Sequence, residues 1–153
     1  SLRVIANELR PALLDKLGLF AAIEWLVSEF ERKTGIESKI YAEIDQPRID
    51  RTTGVSIFRI CQEALTNIAK HAEASLVSIR LESGDETIKV SISDNGKGID
   101  MRTLQNSTSM GLLNMRERAG MVGAELNINS VPDKGTNIEL SIRTNGDEDI
   151  NSR

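Results

Sequence analysis

The chain has 153 residues, a formal net charge of -4 and a sequence pI near 5.1. This length suits one domain with a substantial core, and the acidic balance argues against nucleic acid or an anionic membrane surface as a partner. Cys61 is the only cysteine, which excludes a disulfide framework and a Cys-based zinc site. No apolar run approaches the ~20 residues that cross a bilayer, so we expect a soluble chain without membrane contact. The lone cysteine fits a reducing compartment, and we expect the domain to be cytoplasmic.

The beginning of the chain carries apolar residues at helical spacing. Residues 2–10 predict an amphipathic helix that stops or bends near Pro11, because proline removes a backbone donor and clashes with the preceding turn. A second helix is predicted over 19–33, with Gly35 as its C-terminal cap. The helical pattern starts without a preceding loop or cap, from which we expect that the sequence is a fragment of a longer protein.

A strand is predicted over 39–45, where Ile40, Ala42 and Ile44 alternate with polar residues and would face inward. The loop after it leads into the most strongly patterned element, a helix over 51–72. Its apolar residues share one side of the helix and predict its packing stripe. These residues are Phe58, Cys61, Ala64, Leu65, Ile68 and Ala72.

The polar side of this helix carries Glu63, Asn67 and Lys70 in one line, at i, i+4 and i+7. A carboxylate, an amide oxygen and an ammonium in such a line can hold a hydrated divalent cation and phosphate oxygens between them. An ordinary solvated helix face is the alternative that this pattern leaves open. His71, the only histidine, lies at the edge of the apolar stripe, which favours a structural or supporting role over a nucleophilic one.

Four further strands are predicted, over 76–82, 87–94, 125–129 and 136–143. In each of them apolar residues alternate with polar ones, so every strand has one apolar and one polar face. Such alternation describes a single mixed or antiparallel sheet with helices on one side and water on the other. The sequence therefore predicts an α+β fold, a two-layer α/β sandwich.

The strand over 87–94 ends on a carboxylate that faces the wrong way for a surface residue. Alternation puts Asp94 on the apolar face, where it needs a partner. The next two residues, Asn-Gly, are a strong hairpin signal, but residues 100–110 are polar and do not alternate, so no returning strand follows. What remains is a loop punctuated by Gly96 and Gly98, whose backbone can approach a ligand beside a buried acceptor. This combination indicates a nucleotide pocket.

A second glycine element follows the polar stretch. Gly111 lies near the start of a helix predicted through about Ala119, and backbone N–H groups at such a start form a ready anion site. The alternative is that Gly111 merely begins a helix. The segment 133–136 (DKGT) is most economically a tight turn between two strands.

Four segments of the chain stand in the order of the N box and the three G boxes of ATP-binding domains. They are 59–72 (RICQEALTNIAKHA), 94–99 (DNGKGI), 110–118 (MGLLNMRER) and 134–136 (KGT). This set resembles the GHKL superfamily, which has the Bergerat ATP-binding fold. The amino-acid sequences of the first and third segments are similar to those of sensor histidine kinases of two-component systems that pair with NarL-type response regulators. The resemblance covers nearly everything up to Arg143.

The resemblance also implies a division of the chain. Residues 1–18 would be the C-terminal end of a dimerisation helix and its linker, because 8–18 (ELRPALLDKLG) is similar to that region of the family. Residues 19–143 would be the ATP-binding catalytic domain, and 144–153 a disordered tail. The parent would be a homodimer, with the option of an anchor in the inner membrane. Its partners would be its own dimerisation and phosphoacceptor domain and a NarL-type response regulator.

ATP and Mg²⁺ are the cofactors that the resemblance implies. Asp94 would accept a hydrogen bond from the adenine amino group, and Gly96 and Gly98 would let the chain pass close to the base and ribose. Asn67 would ligate Mg²⁺, and Glu63 would polarise a metal-bound water or assist the nucleophile. The full cofactor-binding set is Asn67, Lys70, His71, Asp94, Gly96, Gly98, Ile99, Gly111, Leu112 and Thr136.

The phosphates would meet Lys70 and the helix start at Gly111, and residues 101–110 would form a mobile lid over the nucleotide. The sequence departs from the family at Ser109, where the first glycine of the second G box is expected. This departure puts the flexibility of the lid in question. The phosphate-accepting histidine of the family lies on an upstream helix that this sequence lacks, and His71 belongs to the N box instead.

The resulting expectation is a domain that transfers the γ-phosphoryl group of ATP to that upstream histidine in the whole protein. Alone, the chain should bind ATP and fail to phosphorylate itself. Two alternatives stay within the superfamily, an ATPase in which Glu63 is the general base for water and a serine kinase acting on an anti-sigma antagonist. A third is an interaction module that kept the fold and lost the nucleotide.

Overall fold

The computed structural model describes residues 2–43, 49–84, 86–106 and 109–143 of the chain. Its elements are α1 (Leu2–Thr34), β1 (Glu37–Glu43), α2 (Arg51–Asn67), a π-helix (Ile68–Ala72), β2 (Leu76–Ser83), β3 (Thr87–Asp94), α3 (Met101–Gln105), α4 (Met110–Met121), β4 (Glu125–Val131) and β5 (Gly135–Arg143). None of the helices in these ranges is long and apolar enough to span a membrane.

The five strands form one sheet in the order β1-β2-β3-β5-β4. β1 runs parallel to β2, and all other neighbouring strands are antiparallel. A parallel pair needs a crossover connection, and α2 with the π-helix supplies it. The α+β fold with a mixed sheet, predicted from alternation, is confirmed.

The apolar side chains of the three central strands point to one face of the sheet, where residues of α1, α2 and α4 pack against them. The buried residues of this face are Val77, Ile79, Leu81, Ile88, Val90, Ile92, Ile138, Leu140 and Ile142. Burial of one such side chain contributes about 1.5–3 kcal/mol, so this face is a main source of stability. The opposite face is polar and includes Arg80, which stacks over the Tyr41 ring at 5.0 Å.

The first helix bends at a different residue from the one predicted. α1 runs over Pro11 without interruption and breaks at Gly18, which has φ 88° and ψ 173°. Glycine takes up this conformation without the steric cost that a side chain would add. The prediction of a stop or bend near Pro11 is therefore wrong, while the second predicted helix, over 19–33, is present as the part of α1 after Gly18.

β1 lies at the edge of the sheet and is covered only in part. Ile40 is half-buried and packs on the core, whereas Ala42, on the same face as its buried ladder partner Leu81, is exposed. Alternation marks the face of a strand but does not say whether a helix reaches that face. Ile44 and the tail over 144–153, predicted to be disordered, lie outside the described residues.

The helix predicted over 51–72 is present but changes its winding near its end. Residues up to Asn67 are α-helical, Ile68–Ala72 form a π-helix, and Glu73 follows with φ at 52°. The predicted apolar stripe is buried, apart from Ala72, which is half-buried. A π-helix holds more residues per turn than an α-helix, so its side chains depart from the facing that a 3.6-residue period assigns.

Candidate nucleotide-binding site

A cavity of about 430 Å³ opens between the polar side of α2, the loop after β3 and the beginning of α4. Every predicted site residue except Gly96 lines this cavity: Glu63, Asn67, Lys70, His71, Asp94, Gly98, Ile99, Gly111, Leu112 and Thr136. Core side chains of the sheet and of α4, such as Ile92, Ile138 and Met115, form apolar parts of its wall. The fold thus brings together segments that are far apart in the sequence.

One part of the cavity, here called the Asp94 end, consists of Asp94, Gly98, Ile99 and Thr136. Asp94 ends β3 on the face predicted by alternation, and its half-buried carboxylate accepts the backbone N–H of Gly96 at 2.8 Å. Burial raises the pKa of the Asp94 carboxyl, and backbone hydrogen bonds from Gly96 and Thr136 act in the opposite direction. A carboxylate has about four lone-pair positions, so Asp94 keeps acceptor capacity for a donor in the cavity.

Gly96 does not line the cavity but fixes the loop that does. A side chain at Gly96 would collide with the backbone carbonyl of Ala72, and the neighbouring Lys97 N–H donates to that same oxygen at 2.7 Å. The carbonyl oxygen of Lys97 in turn accepts the backbone N–H of Asp133 at 2.6 Å. The end of the π-helix, the loop after β3 and the turn between β4 and β5 are therefore hydrogen-bonded in series.

Two further glycines allow close backbone contacts at the Asp94 end. Gly98 has φ 62°, and a side chain there would collide with the carbonyl of Val131. Gly135 has φ 105°, and a side chain there would collide with the carbonyl of Asp94 itself. Both contacts join backbone to backbone, so a substitution could not be absorbed by rotating a side chain.

The other part of the cavity, here called the Glu63 end, consists of Glu63, Asn67 and Gly111. A Cβ atom at Gly111 would lie 2.6 Å from Oε1 of Glu63 and 3.0 Å from Oδ1 of Asn67, so the start of α4 packs directly on the polar line of α2. The backbone of this helix start therefore lies beside a carboxylate and a side-chain amide. Lys70 and His71 lie in the π-helix, exposed, and both also line the cavity.

The side-chain oxygens of the Glu63 end could bind a cation only together with further oxygens from a ligand. The described residues hold no group of three or more His, Cys, Asp or Glu side chains that could bind a metal by themselves. Mg²⁺ retains several waters and is commonly held by one or two protein oxygens together with phosphate. The carboxylate of Glu63 and the amide of Asn67 suit that mode of binding, with phosphate supplied by a nucleotide.

The segment over 101–110, predicted to be a lid, contains a short helix that its polar composition did not predict. α3 follows Asp100, whose side chain accepts the N–H of Arg102 at 2.7 Å, and Leu104 is buried against the cavity. Ser109 precedes α4 with φ -61° and ψ 140°, a conformation open to any residue, and its hydroxyl accepts the N–H of Leu112 at 3.4 Å. A glycine is therefore not required at position 109. Residues 107 and 108 lie outside the described residues.

Two polar residues that matter at the Asp94 end were not identified from the sequence. The side chain of Asn95 accepts the N–H groups of Ser75 and Leu76 at 2.9 and 3.0 Å, which ties the loop after β3 to the start of β2. Ser130 is only 2% exposed, and its hydroxyl accepts the N–H of Ile99 at 2.7 Å. A signal for Ser130 was present, since it occupies the next inward position of β4 after two apolar residues.

Comparison with known proteins agrees with this geometry. Residues 52–146 match the family model described as histidine kinase-, DNA gyrase B-, and HSP90-like ATPase. The oxygen sensor histidine kinase NreB of Staphylococcus carnosus is 34% identical over 140 residues, which cover 92% of this chain and 40% of NreB. The signal transduction histidine-protein kinase/phosphatase DegS of Brevibacillus brevis is 39% identical over 140 residues, covering 92% of this chain and 36% of DegS. The chain thus spans less than half the length of these relatives.

Histidine kinases are among the solved structures with a similar fold. The histidine kinase domain of the Erythrobacter litoralis EL346 blue-light activated histidine kinase has a TM-score of 0.71 and 25% identity, covering 81% of this chain and 60% of that one. The mycobacterial sensor histidine kinase MprB has a TM-score of 0.64 and 20% identity, covering 79% of this chain and 91% of that one, and supports the fold alone.

Proposed function

The chain belongs to the histidine kinase-, DNA gyrase B- and HSP90-like ATPase family, and from this premise we propose how its cavity takes ATP and where the phosphoryl group goes. It is an ATP-binding catalytic domain of the histidine kinase type. The observation that carries the proposal is that the Asp94 acceptor shares one cavity with Glu63, Asn67 and the start of α4. A base and a chain of phosphates can therefore bind in the same cavity at different places.

At the Asp94 end, the residues of this chain bind and orient the base. The Asp94 carboxylate accepts a hydrogen bond from the exocyclic amino group of adenine, and Thr136 lies beside it as its partner in the β3–β5 ladder. The backbone at Gly98 and Ile99 lies along the base and ribose. Half-burial of Asp94 strengthens its hydrogen bond to a donor, because less water competes for the carboxylate.

At the Glu63 end, the residues hold the phosphates. Asn67 would hold Mg²⁺ through its amide oxygen, and the chemistry that this cation would supply is neutralisation of charge on the phosphoryl oxygens. The N–H groups at the start of α4 and the Lys70 ammonium, both at the cavity wall, attract phosphate. Glu63, whose carboxylate lies beside the Gly111 position, would orient a water at the phosphates or assist the nucleophile.

The phosphoryl acceptor is an imidazole nitrogen of a histidine on a dimerisation helix, outside this sequence. The bond from the γ-phosphorus to the bridging oxygen breaks, a bond to nitrogen forms, and ADP leaves with the electron pair of the broken bond. His71, the only histidine of the sequence, is exposed in the π-helix at the cavity wall. We therefore expect this chain alone to bind ATP without acquiring phosphohistidine.

The proposed partners follow from the same resemblance. The acceptor helix would belong to the protein's own dimerisation domain in a homodimer, and a response regulator of the NarL type would receive the phosphoryl group. Supporting this choice are the segments at 59–72 and 110–118, which resemble that class of sensor kinase. Because ATP is its substrate, the domain would work on the cytoplasmic side of any membrane to which the parent is attached.

One alternative has a specific observation in its favour. The Glu63 carboxylate lies at the start of α4, where phosphates would bind, and a carboxylate there can act as a general base for water. The chain would then be an ATPase. Steady-state ATP hydrolysis that Glu63→Gln abolishes would favour the ATPase, whereas transfer to an added acceptor domain without such hydrolysis would favour the kinase.

The decisive experiment is a calorimetric titration with a slowly hydrolysed ATP analogue and Mg²⁺, performed on the unaltered chain and on Asp94→Asn. We expect binding that Asp94→Asn abolishes, because the amide presents a donor where an acceptor is needed. Asp133→Asn is a matched control, since this residue is exposed in the β4–β5 turn, and its φ of 66° is one that asparagine tolerates. Absence of binding by the unaltered chain, or binding unchanged in Asp94→Asn, would contradict the proposal.

A further inference from the structure

Ser130 stands at the centre of a small hydrogen-bond network directly behind the Asp94 end. Its hydroxyl oxygen accepts the N–H of Ile99 at 2.7 Å and lies 2.7 Å from the hydroxyl oxygen of Thr136 and 3.3 Å from the carbonyl oxygen of Gly135. Its backbone N–H donates to the sulfur of Met101 at 3.3 Å. Ser130 itself does not line the cavity, whereas Ile99 and Thr136 do.

The number of protons in this network restricts what Thr136 can present to a ligand. A serine hydroxyl has one proton, and Ser130 can give it to Thr136 or to the Gly135 carbonyl. The Thr136 contact has the usual length of an O–H···O hydrogen bond, whereas the Gly135 contact is long. Donation to Thr136 leaves the Thr136 proton available to the cavity. Among the described residues, the Thr136 hydroxyl has no hydrogen bond besides the one to Ser130.

We propose that Ser130 is a positioning residue that orients the Thr136 hydroxyl as a hydrogen-bond donor toward the base. This inference rests on the proposed binding of adenine at Asp94. The edge of a 6-aminopurine has an amino donor next to a ring-nitrogen acceptor, and the site then has the complementary order, the Asp94 acceptor next to the Thr136 donor. A 6-oxopurine has the reverse order and would face two mismatches. Ser130 thereby contributes to base selection without touching the base.

The test compares ADP with 1-deaza-ADP, which lacks the ring nitrogen that Thr136 would contact. For the unaltered chain we expect ADP to bind about fivefold more tightly, the effect of one ordinary hydrogen bond. Ser130→Ala should weaken ADP binding by about fivefold and 1-deaza-ADP binding by less than about twofold, because that contact is already missing from the analogue.

A double-mutant cycle separates this role from a merely structural one. Thr136→Val removes the hydroxyl at nearly constant shape, so Ser130→Ala should have little further effect on ADP binding in that background. Thermal unfolding of each variant is measured in parallel. Ser91→Ala on the polar face of β3 is the control and should leave both nucleotide affinities unchanged. If Ser130→Ala does not fold, Ser130→Cys, whose thiol is somewhat larger and forms weaker hydrogen bonds, replaces it.

The outcomes are distinguishable. If Ser130→Ala weakens both nucleotides equally, or if its effect persists fully beside Thr136→Val, Ser130 only supports the backbone and the inference is overturned. If the unaltered chain binds ADP in an Asp94-dependent way but does not distinguish the analogue, the inference fails while the proposed function stands. If the unaltered chain binds neither nucleotide, both fail.

Discussion

The two ends of the cavity are built in different ways. At the Asp94 end, backbone meets backbone: the glycine contacts are with carbonyl groups, and Ser130 and Gly96 are buried beneath the surface. At the Glu63 end, the start of α4 meets the tips of two side chains, Glu63 and Asn67. Close-packed backbone cannot relax around a new atom, whereas a side-chain tip can move. The Asp94 end is thus shaped before a ligand arrives, and the Glu63 end can adjust to it.

The largest expected effect comes from adding one methyl group at the Asp94 end. Gly135→Ala combines a φ of 105° with a collision against the Asp94 carbonyl, so it should destabilise the fold by about 3 kcal/mol or more and abolish ATP binding. Denaturant unfolding measures the first effect and calorimetry the second. Gly120→Ala is the matched control, because its Cβ would meet nothing within 4 Å and α4 should gain about 0.5–1 kcal/mol. Equal stabilities of the two variants would contradict the comparison.

The next effect concerns the cation at the Glu63 end. Asn67→Ala removes the amide oxygen proposed to ligate Mg²⁺, so ATP affinity in the presence of Mg²⁺ should fall by about 10- to 100-fold. Titrations with and without a chelator check this result. With the chelator, the variant and the unaltered chain should differ little, and a loss of the same size under both conditions would show that Asn67 does not act through the metal.

A smaller effect is expected when the same methyl group is added at the Glu63 end. In Gly111→Ala the new atom meets the tip of Glu63, which can move aside, so stability should change by less than about 1 kcal/mol. The displaced carboxylate crowds the phosphates and should weaken ATP binding by about fivefold. Adenosine, which has no phosphates, should bind as before. Loss of adenosine binding as well would show that the two ends are not separate.

The smallest expected effect is the change of ATP binding and of stability with pH that results from protonation of Asp94. Because burial raises its pKa above the ordinary 3.8, Asp94 takes up a proton at a higher pH than an exposed aspartate does. ATP binding should therefore weaken as the pH falls toward that raised pKa, as titrations at decreasing pH would show. The stability of the ligand-free fold should change with pH in the opposite direction to ATP binding. The folded state binds the proton more tightly than the unfolded state, so stability due to this group rises as the pH falls through the raised pKa toward 3.8.

Asp94→Asn tests both parts of this prediction. It removes the ionisation that burial opposes, so the ligand-free variant should unfold at a higher temperature than the unaltered chain at neutral pH, and the difference should narrow in acid. A variant that is less stable than the unaltered chain at neutral pH would indicate that hydrogen bonds outweigh burial at this carboxylate.

Much of the fold could be predicted from the sequence, because strands and amphipathic helices each bury one apolar face. That burial gives strands a period of two residues and helices a period of 3.6 residues. The last four strands begin and end within two residues of their predicted bounds, and Asp94 lies on the face that alternation assigned to it. Exposure of Ala42 was not predictable, since no local pattern tells whether a helix covers an edge strand. The break at Gly18 instead of Pro11 shows the same limit, because a chain with several breaking residues does not reveal which one bends.

In the cavity, the sequence indicated which residue types line the walls but not how they are held. The π-helix ends at Ala72, whose carbonyl accepts the N–H of Lys97 in the loop after β3, and a 3.6-residue period does not predict such a long-range contact. Gly96 was assigned to the ligand, and the structure packs it against Ala72. In the sequence, Ser130 is a single polar residue within a strand. In the structure, its four hydrogen-bonding neighbours come from three other segments of the chain, which no local pattern predicts.

The serial hydrogen bonds from Ala72 through Lys97 to Asp133 give the surface of this domain an unusual property. Lys97 and Asp133 are both exposed, and amides in such loops ordinarily exchange their hydrogens with solvent independently of each other. Here each amide is protected by a neighbour that is itself held by the next segment. Displacement of the loop at Lys97 would break both hydrogen bonds, so we expect the amides of Lys97 and Asp133 to lose protection together despite their separation along the chain. A ligand that steadies the loop at Lys97, which lines the cavity, should therefore also slow exchange in the turn between β4 and β5.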